Sequence, residues 1–169
     1  MKRIMMIPLA FCAMLFLERC SKKNESSLPE SCKQLVMMDS VLFLPNAFTP
    51  DNNGLNDGFR PLGKTTEWTD YSFSVFSLNG QLVFETTNPQ DAWNGHLKQQ
   101  ISSPTLFRVA VTLKYKEQLI DKCTYVYWLA NDGTCVRIGD VHPGTLYFED
   151  MFNMETGSIF YMSAENLCP

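Results

Sequence analysis

From Val41 onward the hydrophobic positions recur with a period of two. Val41-Leu42-Phe43-Leu44 is a short apolar run stopped by Pro45. Tyr71 to Leu78 alternates, with Tyr71, Phe73 and Val75 on one face. Asn79-Gly80 follows, a dipeptide suited to a type I′ hairpin turn, which needs positive φ at both positions. Gln81 to Thr86 then returns with Leu82 and Phe84 on one side. Phe107 to Tyr115 is the cleanest strand, because its odd positions are all large and apolar and its even ones mostly small or polar. Such alternation marks a strand of an antiparallel sheet with one buried face. Cys123 to Leu129 adds another aromatic and β-branched run. Apart from the first residues, nothing shows a 3.6-residue period. Short strands separated by Gly, Asn and Pro turns predict an all-β chain folded as a sandwich.

Beyond that run, Ala130 to Pro169 holds more apolar residues than a free tail needs. Asn131-Asp132-Gly133-Thr134 signals a turn. Cys135 to Ile138, Leu146 to Phe148 and Ser158 to Met162 read as short strands, with a turn at Met151 to Gly157 before the last. This extension, residues 130–169, is expected to pack on the sandwich as an added β-hairpin.

The N-terminus follows a different pattern. Lys2 and Arg3 precede an uncharged, mostly apolar run from Ile4 to Leu17. The run is shorter than the roughly 20 residues of a bilayer span and fits a signal peptide over residues 1–19. Cys20-Ser21-Lys22-Lys23 follows and resembles the mature start of bacterial lipoproteins, in which the cysteine is acylated. That resemblance implies a lipid on Cys20 and a polar tether over residues 20–40. A plain secretory signal is the other reading. The expected locations are the outer membrane or cell surface for the lipidated form, otherwise the periplasm or the medium.

Charge narrows the partners. The 169 residues carry 14 Lys and Arg against 18 Asp and Glu, a net of −4. Loss of residues 1–19 would remove three basic groups and one acidic group, leaving a still more acidic chain. No basic footprint for nucleic acid is present. The expected partners are a membrane, through the lipid, and an envelope or secretion-machinery protein.

Three motifs carry a further resemblance. Leu44-Pro45-Asn46-Ala47-Phe48-Thr49-Pro50-Asp51-Asn52-Asn53-Gly54-Leu55-Asn56-Asp57-Gly58-Phe59-Arg60-Pro61 is similar to the opening signature of the gliding motility-associated C-terminal domain. Val75 to Glu85, with its turn glycine and Gln81-Leu82-Val83-Phe84-Glu85, resembles that family's second block. Trp93-Asn94-Gly95 resembles its third. The resemblance spans residues 41–129. It implies an immunoglobulin-like sandwich and a sorting role in type IX secretion. Two functions are open. One is a non-enzymatic envelope lipoprotein with an immunoglobulin-like module for adhesion, assembly or partner binding. The other is a sorting or accessory domain of type IX secretion.

Candidate chemistry is sparse. No nucleophile elbow, phosphate loop or His-Glu-x-x-His is present, and no enzyme is expected. His96 and His142, the two histidines, read as loop residues. Asp51, Asn53, Asn56 and Asp57 alternate oxygen atoms around a glycine, a spacing that could wrap Ca²⁺, with Asp51, Asn53 and Asp57 as first ligands. The same residues also build turns without metal. No other cofactor is expected. Trp93 is expected over a sandwich edge, with Asn94-Gly95 turning the chain. Tyr115, Tyr125, Tyr127 and Trp128 read as core and sheet-face packing or as a recognition surface. With Cys12 in the signal and Cys20 lipidated, Cys32, Cys123, Cys135 and Cys168 remain. Four cysteines in an exported chain suit two disulfides in any of three connectivities, or free buried thiols. Their placement suggests clamps that staple the chain's ends to the sandwich.

Overall fold

A computed structural model describes Cys32, residues 41–97 and residues 103–168. The signal segment 1–19, Cys20 and the tether other than Cys32 lie outside the described residues. The described chain is all-β. A five-stranded sheet has the order β2-β7-β6-β4-β5. Its strands are β2 (Ala47–Phe48), β4 (Trp68–Ser77), β5 (Leu82–Thr86), β6 (Thr105–Tyr115) and β7 (Gln118–Trp128). All neighbours are antiparallel except β2, which runs parallel to β7.

The second layer is thinner. A ribbon pairs β1 (Leu42–Phe43) with β3 (Leu62–Gly63). Beside it, Phe59 and Trp93 exchange backbone hydrogen bonds of 2.8 Å in both directions. The core lies between the layers. Phe73, Val75, Val109, Val111, Leu113 and Val126, all on the sheet's inner face, are at most 1% exposed. This is the strict alternation expected of a strand buried on one side.

Trp93 corrects one expectation. It sits inside the core at 2% exposure, not over an edge. Its ring centroid lies 5.1 Å from Phe48 and 4.8 Å edge-on from Phe107, a favourable aromatic geometry. Its bridge to Phe59 ties the first and third motifs into one unit. Gly95 then makes the turn at φ 73°, where a β-carbon would meet the Trp128 ring at 2.7 Å. Trp128 and Tyr115 pack against this core, and Tyr127 against a second cluster around Leu129 and Phe148.

The Asn79-Gly80 hairpin forms, but by a different turn. Gly80 N–H donates to Ser77 O, and only Gly80 has positive φ. This is a type I turn closed by a left-handed glycine, with the register shift of a bulge at Val75/Phe76. The Asn79 side chain accepts from Ser77 Oγ and Gln81 N–H, which holds it off the left-handed region. Leu82 consequently stays 46% exposed, whereas Phe84 packs on Phe73. The two-residue turn with positive φ at both positions occurs instead at Lys116-Glu117, between β6 and β7.

The extension packs on the sandwich. β8 (Ala130–Asn131) and β9 (Val136–Arg137) form the added hairpin. Ile138, Leu146, Phe148 and Met151 build a second buried cluster against Ala47 and Leu129. Phe152 stacks on Phe43 at 4.8 Å and closes a third cluster with Leu62. Leu146 to Phe148 is not a strand. It runs between 3-10 turns at Pro143–Thr145 and Glu149–Met151, because its polar backbone groups are held by Asn46 rather than by a sheet. Ser158 to Met162 contributes only one bridge, Phe152 to Ile159.

Candidate functional site

The first motif sits where the sandwich meets the extension, and its polar side chains divide into two sets. The outer set is Asp51, Asn53 and Asp57. Asp57 accepts backbone N–H groups from Asn52 and, at 2.7 Å, from Gly54. Asp51 accepts from Asn53 N–H at 3.0 Å and from the Asn131 side chain at 2.7 Å. Asn53 Oδ1 accepts from Leu55 N–H at 2.7 Å. These are Asx-type turns, in which short carboxylates and amides satisfy the backbone of a loop that no strand can reach. Asn52 and Asn56 take positive φ, and Gly54 does so without a β-carbon. The three calcium candidates named first are thus brought together on one loop, and Asn56 is turned away from them.

The inner set is buried and reaches the extension. Asn46 is 3% exposed. Its amide donates to Thr145 O at 2.8 Å and accepts from Tyr147 N–H at 2.7 Å. Thr49 and Asn56 are 0% and 7% exposed. Asn56 Oδ1 accepts from Asp150 N–H at 3.0 Å, and its Nδ2 donates to Glu165 Oε1 at 3.0 Å. Thr49 Oγ1 donates to the same carboxylate oxygen. Arg60, near the end of the motif, pairs with Glu149 at 3.2 Å. The buried side chains of Asn46, Thr49 and Asn56 are thus all hydrogen-bonded, as burial requires. Asn46 and Thr49 were missed as site residues in the sequence, and Asn56 was read only as a calcium candidate, because their partners lie 94 to 116 residues away along the chain.

The four remaining cysteines pair as Cys32–Cys123 and Cys135–Cys168, which selects one of the three connectivities. Cys123 lies on β7, so the first bridge fixes the segment before the sandwich to its main sheet. Cys135 directly precedes β9, so the second bridge holds the C-terminal segment. That segment also pairs by backbone: Val136 N–H donates to Asn166 O at 2.7 Å, and Cys168 N–H to Val136 O at 2.9 Å. Asp132 lies beside this bridge. With both sulfurs oxidised, the trio offers no thiolate to a metal. Asp132 instead caps the β8–β9 turn. Bonds from Thr134 Oγ1 and N–H, then from Cys135 N–H and Arg137, hold its carboxyl well below the usual aspartate range.

His96 and His142 are both exposed. His142 Nδ1 accepts from Gly144 N–H at 3.1 Å and caps the turn at Pro143–Thr145. Tyr71 is buried with its hydroxyl unpartnered among the described residues, and burial pushes its phenol far above its ordinary range. Among the described residues no helix is long and apolar enough to cross a membrane.

Residues 42–139, more than half of the chain, match the family described as the CHU_C type IX secretion signal domain. The matched stretch contains all three motifs, β1 to β9 and the docking side chains Asn46, Thr49, Asn56 and Arg60. Neither a curated protein nor a solved structure matches the chain. A type IX secretion signal marks a protein for export to the cell surface or for release, and this family is one of signals rather than of enzymes. The chain therefore belongs to the type IX secretion signal domain family.

Proposed function

We propose that the folded unit, Cys32 and residues 41–168, is a non-catalytic recognition module of type IX secretion. It acts by presenting a surface to the export machinery. The observation that supports this reading is the family match over residues 42–139, on a sandwich whose core includes Leu44, Phe48, Phe59, Val75 and Trp93 from the three motifs. A reporter placed between a plain signal peptide and residues 21–169 tests it. Release of the reporter, or its display on the surface, is the expected result in a cell with an active type IX system. A folded fusion that stays in the periplasm contradicts the reading.

A second reading places the same module on the envelope as a lipoprotein, for adhesion, assembly or partner binding. The sequence Cys20-Ser21-Lys22-Lys23 after the apolar run favours it. So does an exposed apolar tip on the extension, where Phe160, Tyr161 and Met162 are 54%, 91% and 84% exposed. Cys20→Ser then abolishes fatty-acid labelling and membrane fractionation. A variant that still labels removes Cys20 as the anchor.

A further inference from the structure

The last residues of the chain sit on the family domain in the manner of a bound peptide. Strand-type peptide recognition combines backbone pairing along an edge with pockets for alternate side chains. Here Val136 pairs in parallel with the segment, through Asn166 O and Cys168 N–H. Glu165 sends its carboxylate onto two buried donors, Thr49 Oγ1 and Asn56 Nδ2. Two residues on, Leu167 packs against the cluster of Leu129, Val136 and Ile138. Between them Asn166 is exposed. Thr49, Asn56 and Val136 all lie within residues 42–139, whereas Glu165 to Cys168 lie beyond the matched stretch. The receiving groups therefore belong to the family domain, and the segment that fills them does not.

We propose that Thr49, Asn56 and the edge of Val136 form a docking site for an extended acidic peptide, one carrying a carboxylate two residues ahead of an apolar side chain. In this chain the site is filled in cis by Glu165 to Cys168 and held shut by the Cys135–Cys168 bridge. The tether gives the cis segment the high effective concentration of an intramolecular ligand, so a free peptide cannot compete while the bridge is intact. The site stands on contacts within this chain and is independent of whether the domain directs export.

The test uses the full chain and a labelled synthetic peptide of the sequence Ser-Ala-Glu-Asn-Leu. Wild-type protein with both bridges formed is expected not to bind it. The unlatched variant Cys135→Ser/Cys168→Ser/Glu165→Gln is expected to bind it. Affinity should fall about 10-fold or more when the peptide's Glu is replaced by Gln, or when Thr49→Val is added, as loss of a charge-assisted hydrogen bond dictates. A folded unlatched variant that ignores the peptide, or that binds the Gln peptide equally well, overturns the proposal. Should that variant fail to fold, Glu165→Gln alone, with both bridges kept, decides the matter by hydrogen exchange. The amides of Val136 and Cys168 are expected to exchange about 10-fold faster, and unchanged protection refutes the site.

Discussion

Single residues of the first motif do two kinds of work, and the difference predicts how their loss is felt. Asp57 serves the loop itself, accepting the N–H groups of Asn52 and Gly54. Asp57→Ala should lower stability by about 1 kcal/mol, the usual cost of a lost cap. The loss should be the same in calcium and in chelator when followed by thermal melting. A loss that appears only with calcium would assign these oxygens to a cation. Asp132, outside the motif, is held by its charge as well. Its carboxyl is held down by the turn it caps, so the stability it contributes is present above the ordinary aspartate value of 3.8. That stability is lost as pH falls from there towards the folded value. Melts of wild type and Asp132→Asn should therefore differ at neutral pH and begin to converge as pH falls below about 4.

At the scale of elements, the strands with one fully buried face were legible and the irregular pieces were not. Phe107 to Tyr115 declares its face because every second residue meets the core. β7 begins earlier than its sequence suggests, at Gln118, because Leu119 stays 62% exposed and Asp121 is exposed as well. Its first half is fixed by pairing with β6 and by the tight turn at Lys116-Glu117, neither of which a hydrophobic period reports. The Trp93-Asn94-Gly95 turn is legible as a turn, yet its depth is not. Trp93 is central because Phe59, in another motif, supplies its strand partner. This element has little slack. Gly95→Ala should destabilise by about 2–4 kcal/mol, since it combines a left-handed backbone with overlap on Trp128. Chemical denaturation measures this. A loss below 1 kcal/mol would show that the Trp128 ring moves aside freely.

For the whole molecule, the sequence placed the sandwich, the extension packed on it and the cysteines that clamp its ends. The inner half of the candidate site was invisible, because Thr49 and Asn56 find Glu165 only after the extension folds back across the motif. The clamp should matter accordingly. Removing the Cys135–Cys168 bridge by Cys135→Ser/Cys168→Ser should cost about 3–4 kcal/mol, as expected for a loop of 33 residues. The sandwich should survive the loss, because Phe73, Val109 and Trp93 do not depend on the bridge. Near-ultraviolet circular dichroism together with denaturation follows both effects. The sorting role, by contrast, is a matter of where the protein goes. Its most direct test is the location of the full-length chain in matched cells with and without a working type IX translocon. A shift from the surface or medium to the periplasm when the translocon is lost is the result predicted here. An unchanged location would contradict it.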